Sequence, residues 1–347
     1  MNVFGYLTKF LHSLKPWHGF IGADPDRCPP RSLILFPYYP ATFFCGLAGI
    51  LAVKGPVPAA KTDQIQTFTA LYDTVKTLRI ADVQAGTVPL ESYLDGGARL
   101  EEMSRRLLDL KSDAFFRELC THPETIAKLA HLAEEMKAFL LREETVLEEA
   151  AAFFTTDSLE KINRTMIILR DIVWALEKDI LATFEQIRDL AGGNGGAPET
   201  GSLVKYKKIN FLLNCLNRLE VRGRDSAGIQ VSFTTSTGNA FREIIRSIKE
   251  KNLFGELTNR IGTGDLLNHS IALPCSVTDL EQGGHDAGET VTFTYKTASI
   301  IGELGQNVRD LTQSIREDRL LRAFTEAETA CESVFCHTRW ASVGSIS

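Results

Sequence analysis

The chain has 347 residues, a formal net charge of −6 and a sequence pI of about 5.7. This acidic balance argues against a nucleic-acid-binding protein, and the length is sufficient for two domains. Seven cysteines are scattered without the paired spacing of a disulfide framework, which fits a reducing compartment better than secretion. We therefore expect a cytoplasmic protein.

The N-terminal residues 1–44 are rich in aromatic residues and proline and show no clear periodicity. They fit a propeptide, a docking arm or an upstream translation that is absent from the mature protein. The uncharged stretch Ser32–Val53 has the length of a membrane span, but Pro37 and Pro40 interrupt it. We predict no membrane segment, and instead an extended lead into a buried strand at Cys45–Val53.

Residues from about 62 to 190 have an almost wholly helical pattern. The clearest helix is predicted to begin at Asp157 as its N-cap, with a nearly heptad apolar seam, and to pack in an antiparallel bundle. Its seam residues are Leu159, Ile162, Met166, Leu169, Val173, Leu176, Ile180, Phe184 and Ile187. Its predicted partners are Ile65–Arg79, Leu100–Leu110 and Glu124–Ala151, the last starting at His122-Pro123. The glycine-rich stretch Gly192–Pro198 reads as a linker out of this bundle.

The stretch Leu219–Val231, LEVRGRDSAGIQV, changes from helical spacing to strand alternation within thirteen residues. A polar corner at Arg222–Ser226 joins the two elements. Such a corner is either an ordinary helix–turn–strand connection or a place where a site can be built.

Downstream, a helix is predicted at Phe241–Lys251, followed by a loop-rich stretch at Gly255–Gly288. A strand is predicted at Thr290–Lys296 and another at Ser333–His337. Between them, the spacing from Ile301 to Ile315 predicts a helix that Gly302 and Gly305 interrupt mildly.

Three motifs together resemble one protein family. Leu219–Val231 resembles L-E-Y-R-G-Y-D-S-A-G-I-A-V, Cys45–Ile50 resembles C-G-I-V-G-I, and His337–Ala341 matches H-T-R-W-A. These motifs occur in the same order in class II (N-terminal-nucleophile) glutamine amidotransferases. The closest branch is that of glutamine:fructose-6-phosphate amidotransferase, the glucosamine-6-phosphate synthases. The resemblance covers about Cys45–Val53 and the region from roughly Lys205 to the end.

The resemblance implies an α+β fold, the α/β/β/α sandwich of Ntn hydrolases, carrying a large helical-bundle insertion. It divides the chain into an N-terminal extension at 1–44, an amidotransferase domain at 45–55 plus 205–347, and a helical insertion at 56–204. For the insertion, an interaction arm is the simplest interpretation.

The resemblance also implies the chemistry. Cys45 corresponds to the nucleophile, whose own α-amino group is the general base, so Cys45 must be the first residue of the active chain. Arg339 would bind the α-carboxylate of glutamine through its planar fork. Trp340, Ser342, Arg222 and Gly223 correspond to other residues that surround the substrate. The alternatives are a buried structural cysteine, a surface arginine and a core tryptophan.

No cofactor or metal is expected, because Cys331, Cys336 and His337 lack the paired spacing of a metal site. The expected partners are glutamine and a downstream sugar-phosphate isomerase domain, and a homodimer is compatible with the resemblance. We expect neither nucleic acid nor membrane as a partner.

Two departures from the family pattern matter. Val343 stands where the family has a histidine, and the chain ends at Ser347, before the family's Asn-Gly oxyanion pair and its isomerase half. We therefore expect an N-terminal piece of a longer enzyme, with little activity alone. The alternative functions are a catalytically silent scaffold that presents a helical interaction arm, and an amidotransferase with another ammonia acceptor.

Overall fold

A computed structural model describes residues 46–55, 64–192, 198–223, 225–261, 267–273, 288–298 and 303–339, without the side chain of Arg222. The chain forms two compact units, one of Met1–Gly55 with Asp189–Ser347 and the other of Pro56–Arg188. The predictions for residues 1–44 and for most of the glycine-rich linker lie outside the described residues. No helix in the described ranges combines the length and the apolar character needed to cross a bilayer.

The second unit is built from helices. In chain order they are α1 Gln64–Val75, α2 Ile80–Gln84, α3 Ala98–Leu110, α4 Asp113–Thr121, α5 Pro123–Ala150, α6 Thr156–Trp174 and α7 Thr183–Gly192, the last crossing into the first unit. A 3₁₀ segment at Leu90–Gly97 precedes α3. The three predicted partner segments are confirmed as helices, α1, α3 and α5, and His122-Pro123 does begin α5. Helices α3 and α5 pack against α6, while α1 packs against α3 and α5.

The long helix differs from its prediction at two places. Its N-cap is Thr155, whose hydroxyl accepts a hydrogen bond from the Ser158 amide, so the prediction of Asp157 was wrong by two residues. Threonine and aspartate are both favoured N-cap residues, and the apolar seam alone does not show which of the two begins the helix. A π-helical segment, Ala175–Ala182, joins α6 to α7. The predicted seam is buried from Ile162 to Ile187, while Leu159 is half-buried.

Glu143 is a buried carboxyl group in the middle of this helical unit. Its side chain is on α5, the residue is 4% exposed, and Oε2 accepts a hydrogen bond of 2.8 Å from the Ile80 amide at the start of α2. Burial raises the pKa of Glu143, and this effect outweighs the hydrogen bonds that stabilise the ionised form. The folded state therefore holds this proton more tightly than the unfolded chain does.

We expect the free energy of unfolding of Glu143→Gln, relative to that of the wild type, to increase as the pH rises. A raised carboxyl pKa stabilises the fold fully below the ordinary pKa of about 4.3, and this contribution is lost as the pH rises through the folded pKa. Glutamine keeps an acceptor for Ile80 and does not titrate. Urea unfolding at several pH values should give a slope of at most about 1.4 kcal/mol per pH unit.

Glu134→Gln, on the exposed side of the same helix, controls for the loss of one carboxyl group. A difference between Glu143→Gln and wild type that stays constant with pH would contradict the prediction.

The first unit contains an antiparallel sheet and the remaining helices. Its strands, in the order β1-β5-β2-β4-β3, are β1 Gly46–Val53, β2 Ser226–Thr235, β3 Ile271–Ala272, β4 Thr290–Ala298 and β5 Thr329–Arg339. Its helices are α8 Thr200–Leu219, α9 Gly238–Glu250, α10 Phe254–Ile261, α11 Gln306–Glu317 and α12 Arg319–Glu326. A 3₁₀ turn, Glu220–Arg222, separates α8 from β2.

The two faces of the sheet differ in polarity. One face is apolar, with Ile229, Val231 and Phe293 fully buried, and it packs against α8 and α11. The opposite face carries hydroxyl side chains paired across strands, such as Ser232 with Thr292 at 2.9 Å. Strand alternation produces this separation, because every second residue shares a face.

Strand β1 is found where it was predicted, but it is not a buried strand. It lies at the edge of the described sheet and pairs with β5 alone, so Leu51 is 50% and Val53 64% exposed. A continuous apolar run is typical of a strand covered on both faces, which explains the wrong prediction.

Three further boundaries differ from the sequence prediction. Strand β5 continues through His337 to Arg339, so the third motif begins inside the strand. Helix α11 starts after Gly305, which is its N-cap with φ +86°, instead of running through it. The predicted loop-rich stretch contains α10, whose short amphipathic pattern Gly255 obscured.

Two lysines, of which Lys205 is buried and Lys208 partly buried, attach α8 to the rest of its unit. Lys205 Nζ donates to the carbonyl oxygens of Thr325, at 2.7 Å, and Ala327, while Lys208 pairs with Glu332 of β5 at 2.5 Å. Burial lowers the pKa of Lys205 to about 8. All of α8 therefore belongs with the sheet, whereas the predicted boundary at residue 205 assigned its first turns to the insertion.

The α+β class is confirmed. The described residues form one sheet, whereas an α/β/β/α sandwich contains two, so the sandwich stays a prediction.

Candidate functional site

The three sequence motifs meet at one end of the sheet. Strand β5 lies between β1 and β2, and its Thr338 is opposite Gly46 on one side and Ala227 on the other. Gly46 follows Cys45 in the first motif, Ala227 belongs to the second, and Thr338 belongs to the third. This row brings together residues that are far apart in the chain, and the pairing of β5 on both sides is what aligns them.

Thr338 fixes the start of β1 by a side-chain contact. Its hydroxyl oxygen accepts a hydrogen bond of 3.2 Å from the Gly46 amide, and Thr338 is fully buried. The amide belongs to the peptide group that joins Cys45 to Gly46. Thr338 therefore restricts the orientation of the chain next to the candidate nucleophile.

Gly46 also contacts the first residue of the second motif. A Cβ atom at Gly46 would lie 2.6 Å from Leu219 Cδ2 and 3.0 Å from Leu219 Cβ, closer than side chains pack. Only glycine lets the end of α8 approach β1 this closely. Packing therefore explains the glycine at position 46, which the sequence alone did not indicate.

The polar corner of the second motif is joined to the third motif. The Asp225 amide donates to the Arg339 carbonyl at 3.2 Å, and Ser226 is opposite Arg339 in the β2–β5 register. Gly223 is buried with φ −162°, an extended conformation that any residue adopts. Backbone conformation therefore does not account for the glycine at this position.

His337 and Arg339 share a face of β5, because they are two residues apart in a strand. Burial lowers the pKa of His337, and the charge of Arg339 lowers it further. The imidazole is therefore neutral at neutral pH, and Arg339 supplies the positive charge at this end of the strand. A guanidinium beside a neutral histidine suits the binding of a carboxylate.

The described cysteines near the sheet are poor nucleophiles. Burial raises the pKa of Cys215, Cys331 and Cys336, the last to about 12, so all three stay protonated at neutral pH. Cys336 donates its thiol hydrogen to the Leu212 carbonyl on α8, on the face opposite to His337. Within the described ranges, no group of three metal-ligating side chains is found.

Of the predicted site residues, the structure describes Arg339, Gly223 and the backbone of Arg222, and brings the turn of the second motif to the end of β5. Cys45, Trp340 and Ser342 lie outside the described residues. The sequence prediction missed Thr338 and Leu219. Strand alternation could have placed Thr338 on the buried face, but no local pattern indicates its contact with Gly46.

Comparisons with protein-family models, with curated proteins and with solved structures find no match to this chain. The interpretation of the site therefore depends on its residues and geometry and on the resemblance of the three motifs.

We expect Thr338→Val to destabilise the sheet unit by about 1–3 kcal/mol, because the buried Gly46 amide loses its acceptor. Thr294→Val is the matched control. Thr294 lies in the same unit and is 1% exposed, and its hydroxyl has no hydrogen-bond partner among the described residues. Its replacement should be neutral or stabilising. Midpoints of urea unfolding test the pair, and equal losses in the two variants would contradict the assigned role of Thr338.

Proposed function

We propose that this chain carries the glutaminase chemistry of a class II glutamine amidotransferase, of the glutamine:fructose-6-phosphate amidotransferase type. The supporting observation is the meeting of Gly46, Ala227 and Thr338 in one row of the sheet. The motifs that resemble this family are separated in the sequence by the whole helical unit and by a further stretch of about a hundred residues. Their convergence at one site is what a shared chemical task requires.

In the proposed reaction, the Cys45 thiolate attacks the carboxamide carbon of glutamine. The α-amino group of Cys45 takes the thiol proton and returns it to the departing nitrogen, so the carbon–nitrogen bond breaks and ammonia leaves. The remaining γ-glutamyl thioester is then hydrolysed by water to glutamate and free thiol. Since Cys45 is bonded to Gly46, the contacts that hold Gly46 also limit the position of the nucleophile.

Arg339 is proposed to bind the α-carboxylate of glutamine, with Trp340 and Ser342 beside it. The end of β5 supports this role, since Asp225 fixes the Arg339 backbone and His337 beside it is uncharged. Arg222 and Gly223 are proposed to form the opposite wall. This assignment uses the arginine fork, which matches a carboxylate through two parallel hydrogen bonds.

The same proposal includes the finer fold and the fate of the ammonia. The antiparallel sheet with helices on its apolar face would be one half of an α/β/β/α sandwich, with the helical unit as an insertion after β1. The ammonia would go to a sugar-phosphate acceptor on a downstream isomerase domain, in the cytoplasm.

A second candidate function is a scaffold that presents the helical unit to a partner. It is favoured by large apolar side chains that these helices expose, such as Leu108 at 73%, Phe153 at 74% and Trp174 at 54%. In that case the site at the end of the sheet would be inactive.

Labelling with a diazoketone analogue of glutamine tests the two candidates. For a glutaminase, we expect the analogue to alkylate Cys45, and free glutamine, but not asparagine, to protect it. Arg339→Ala should lower the labelling rate by about ten-fold or more, because a buried charged hydrogen bond is lost. Peptide mass spectrometry identifies the labelled residue, and intact-mass measurement shows whether Cys45 is the first residue of the labelled molecules.

Arg246→Ala is the control, because Arg246 is an exposed arginine of the same unit, paired with Glu243 on its own helix. It should label like the wild type. Labelling spread over Cys120, Cys215 and Cys331, without protection by glutamine, would favour the scaffold. Labelled Cys45 in molecules that retain Met1 would rule out the α-amino group as the base.

A further inference from the structure

Glu220 is a buried carboxyl group inside the second motif. The residue is 1% exposed and begins the 3₁₀ turn Glu220–Arg222, between the end of α8 and the corner that contacts Arg339. Burying a carboxyl group is costly unless hydrogen bonds compensate. Its presence therefore calls for a specific partner.

That partner is the start of α11. Glu220 Oε2 accepts a hydrogen bond of 2.5 Å from the amide of Gly305, the N-cap residue of this helix, 85 positions along the chain. In a capping box, a glutamate at the third helical position accepts this amide, but that position is Val308 here. Glu220 supplies from a distance the acceptor that the local sequence lacks.

Gly305 is suited to this contact. Its φ of +86° lies in the left-handed region that favours glycine, and a Cβ atom there would lie 3.7 Å from Asn217 Oδ1 on α8. The end of α8 and the start of α11 are therefore in close contact around the Glu220 carboxyl group. Its second oxygen, Oε1, is buried without a hydrogen-bond partner among the described residues, so the bond to Gly305 carries the attachment.

We propose that Glu220 is a positioning residue for the glutamine site, which fastens the 3₁₀ turn Glu220–Arg222 to α11 and thereby sets the place of Asp225 and of Arg339. The connection runs from Glu220 through Gly223, whose amide donates to the Glu220 carbonyl at 3.2 Å, to Asp225, whose amide donates to the Arg339 carbonyl. This inference rests on the proposed glutaminase function. Its first link, from Glu220 to Gly305, is independent of that function.

The test uses three substitutions at Glu220 in the full chain. Glu220→Gln keeps an oxygen that can accept the Gly305 hydrogen bond, Glu220→Asp keeps the carboxyl group but is one methylene too short, and Glu220→Ala removes the acceptor. Glu143→Gln and Glu143→Ala are matched controls. Glu143 is also a buried glutamate that accepts an amide at a helix start, but it lies in the helical unit.

The first readout is the rate of Cys45 labelling as a function of the concentration of the diazoketone analogue. We expect Glu220→Asp and Glu220→Ala to raise the half-saturating concentration by about ten-fold or more, because misplacing a binding group by about 1 Å has effects of this size. The maximal rate should change less, since the proposed effect of Glu220 is on the position of Arg339, which binds the analogue. The half-saturating concentration of Glu220→Gln should stay within about three-fold of the wild-type value, and those of both Glu143 variants should equal the wild-type value.

A purely structural role predicts a different result, in which unfolding midpoints fall and the half-saturating concentration does not change. That outcome overturns the proposal. The proposal also fails if Glu220→Gln raises the half-saturating concentration as much as Glu220→Ala does. If Glu220→Ala does not fold, Glu220→Asp and Glu220→Gln decide the question.

Amide hydrogen exchange, the second readout, separates this inference from the proposed function. Loss of the attachment should accelerate exchange at Gly305 and in residues 221–226 in Glu220→Asp, and not in the Glu143 variants. If wild-type Cys45 shows no glutamine-protected labelling, the glutaminase proposal fails, and with it the role of Glu220 in glutamine binding. Unchanged exchange in Glu220→Asp would instead refute the attachment itself.

Discussion

The double pairing of β5 is the constraint on which the described site depends. One edge of this strand bonds to β1 and the other to β2, both in antiparallel register, so a single strand sets the position of its two neighbours. A shift of one residue in either register would turn every side chain of the shifted strand to the opposite face. The polarity difference between the faces resists such a shift, because it would expose Ile229 and Val231.

Helix α8 connects this sheet geometry to the second motif. Its middle is attached by Lys205 and Lys208, its end touches Gly46 through Leu219, and the 3₁₀ turn that follows is attached to α11. The helix thus supports β1 and also sets the starting point of the polar corner. A single helix serves both purposes, and rigid elements of this kind hold the residues of a site more precisely than loops do.

The sequence predicted those features that have a local period. The apolar seam of α6 and α7 and the alternation of β2 and β4 were identified correctly, because each depends on residues a few positions apart. The edge position of β1 was missed, since an apolar run is the same at an edge and in the centre. The contacts of Thr338 with Gly46 and of Glu220 with Gly305 were also missed, because they join residues 292 and 85 positions apart. No periodicity carries that information, and for Cys45, Trp340 and Ser342 the motifs remain the basis of the assignment.

The separation of β1 from β5 has a consequence for biosynthesis. The hydrogen-bonding partner of β1 is made about 290 residues after β1 itself, which at ordinary translation rates is on the order of tens of seconds. During that interval, the uncharged sequence Gly46–Val53 is an unpaired strand of the kind that associates with other chains. The intervening residues Pro56–Arg188 form a compact unit of their own, which can fold while β1 is still unpaired. Chaperone binding to Gly46–Val53 in the nascent chain would therefore protect the strand next to the candidate nucleophile.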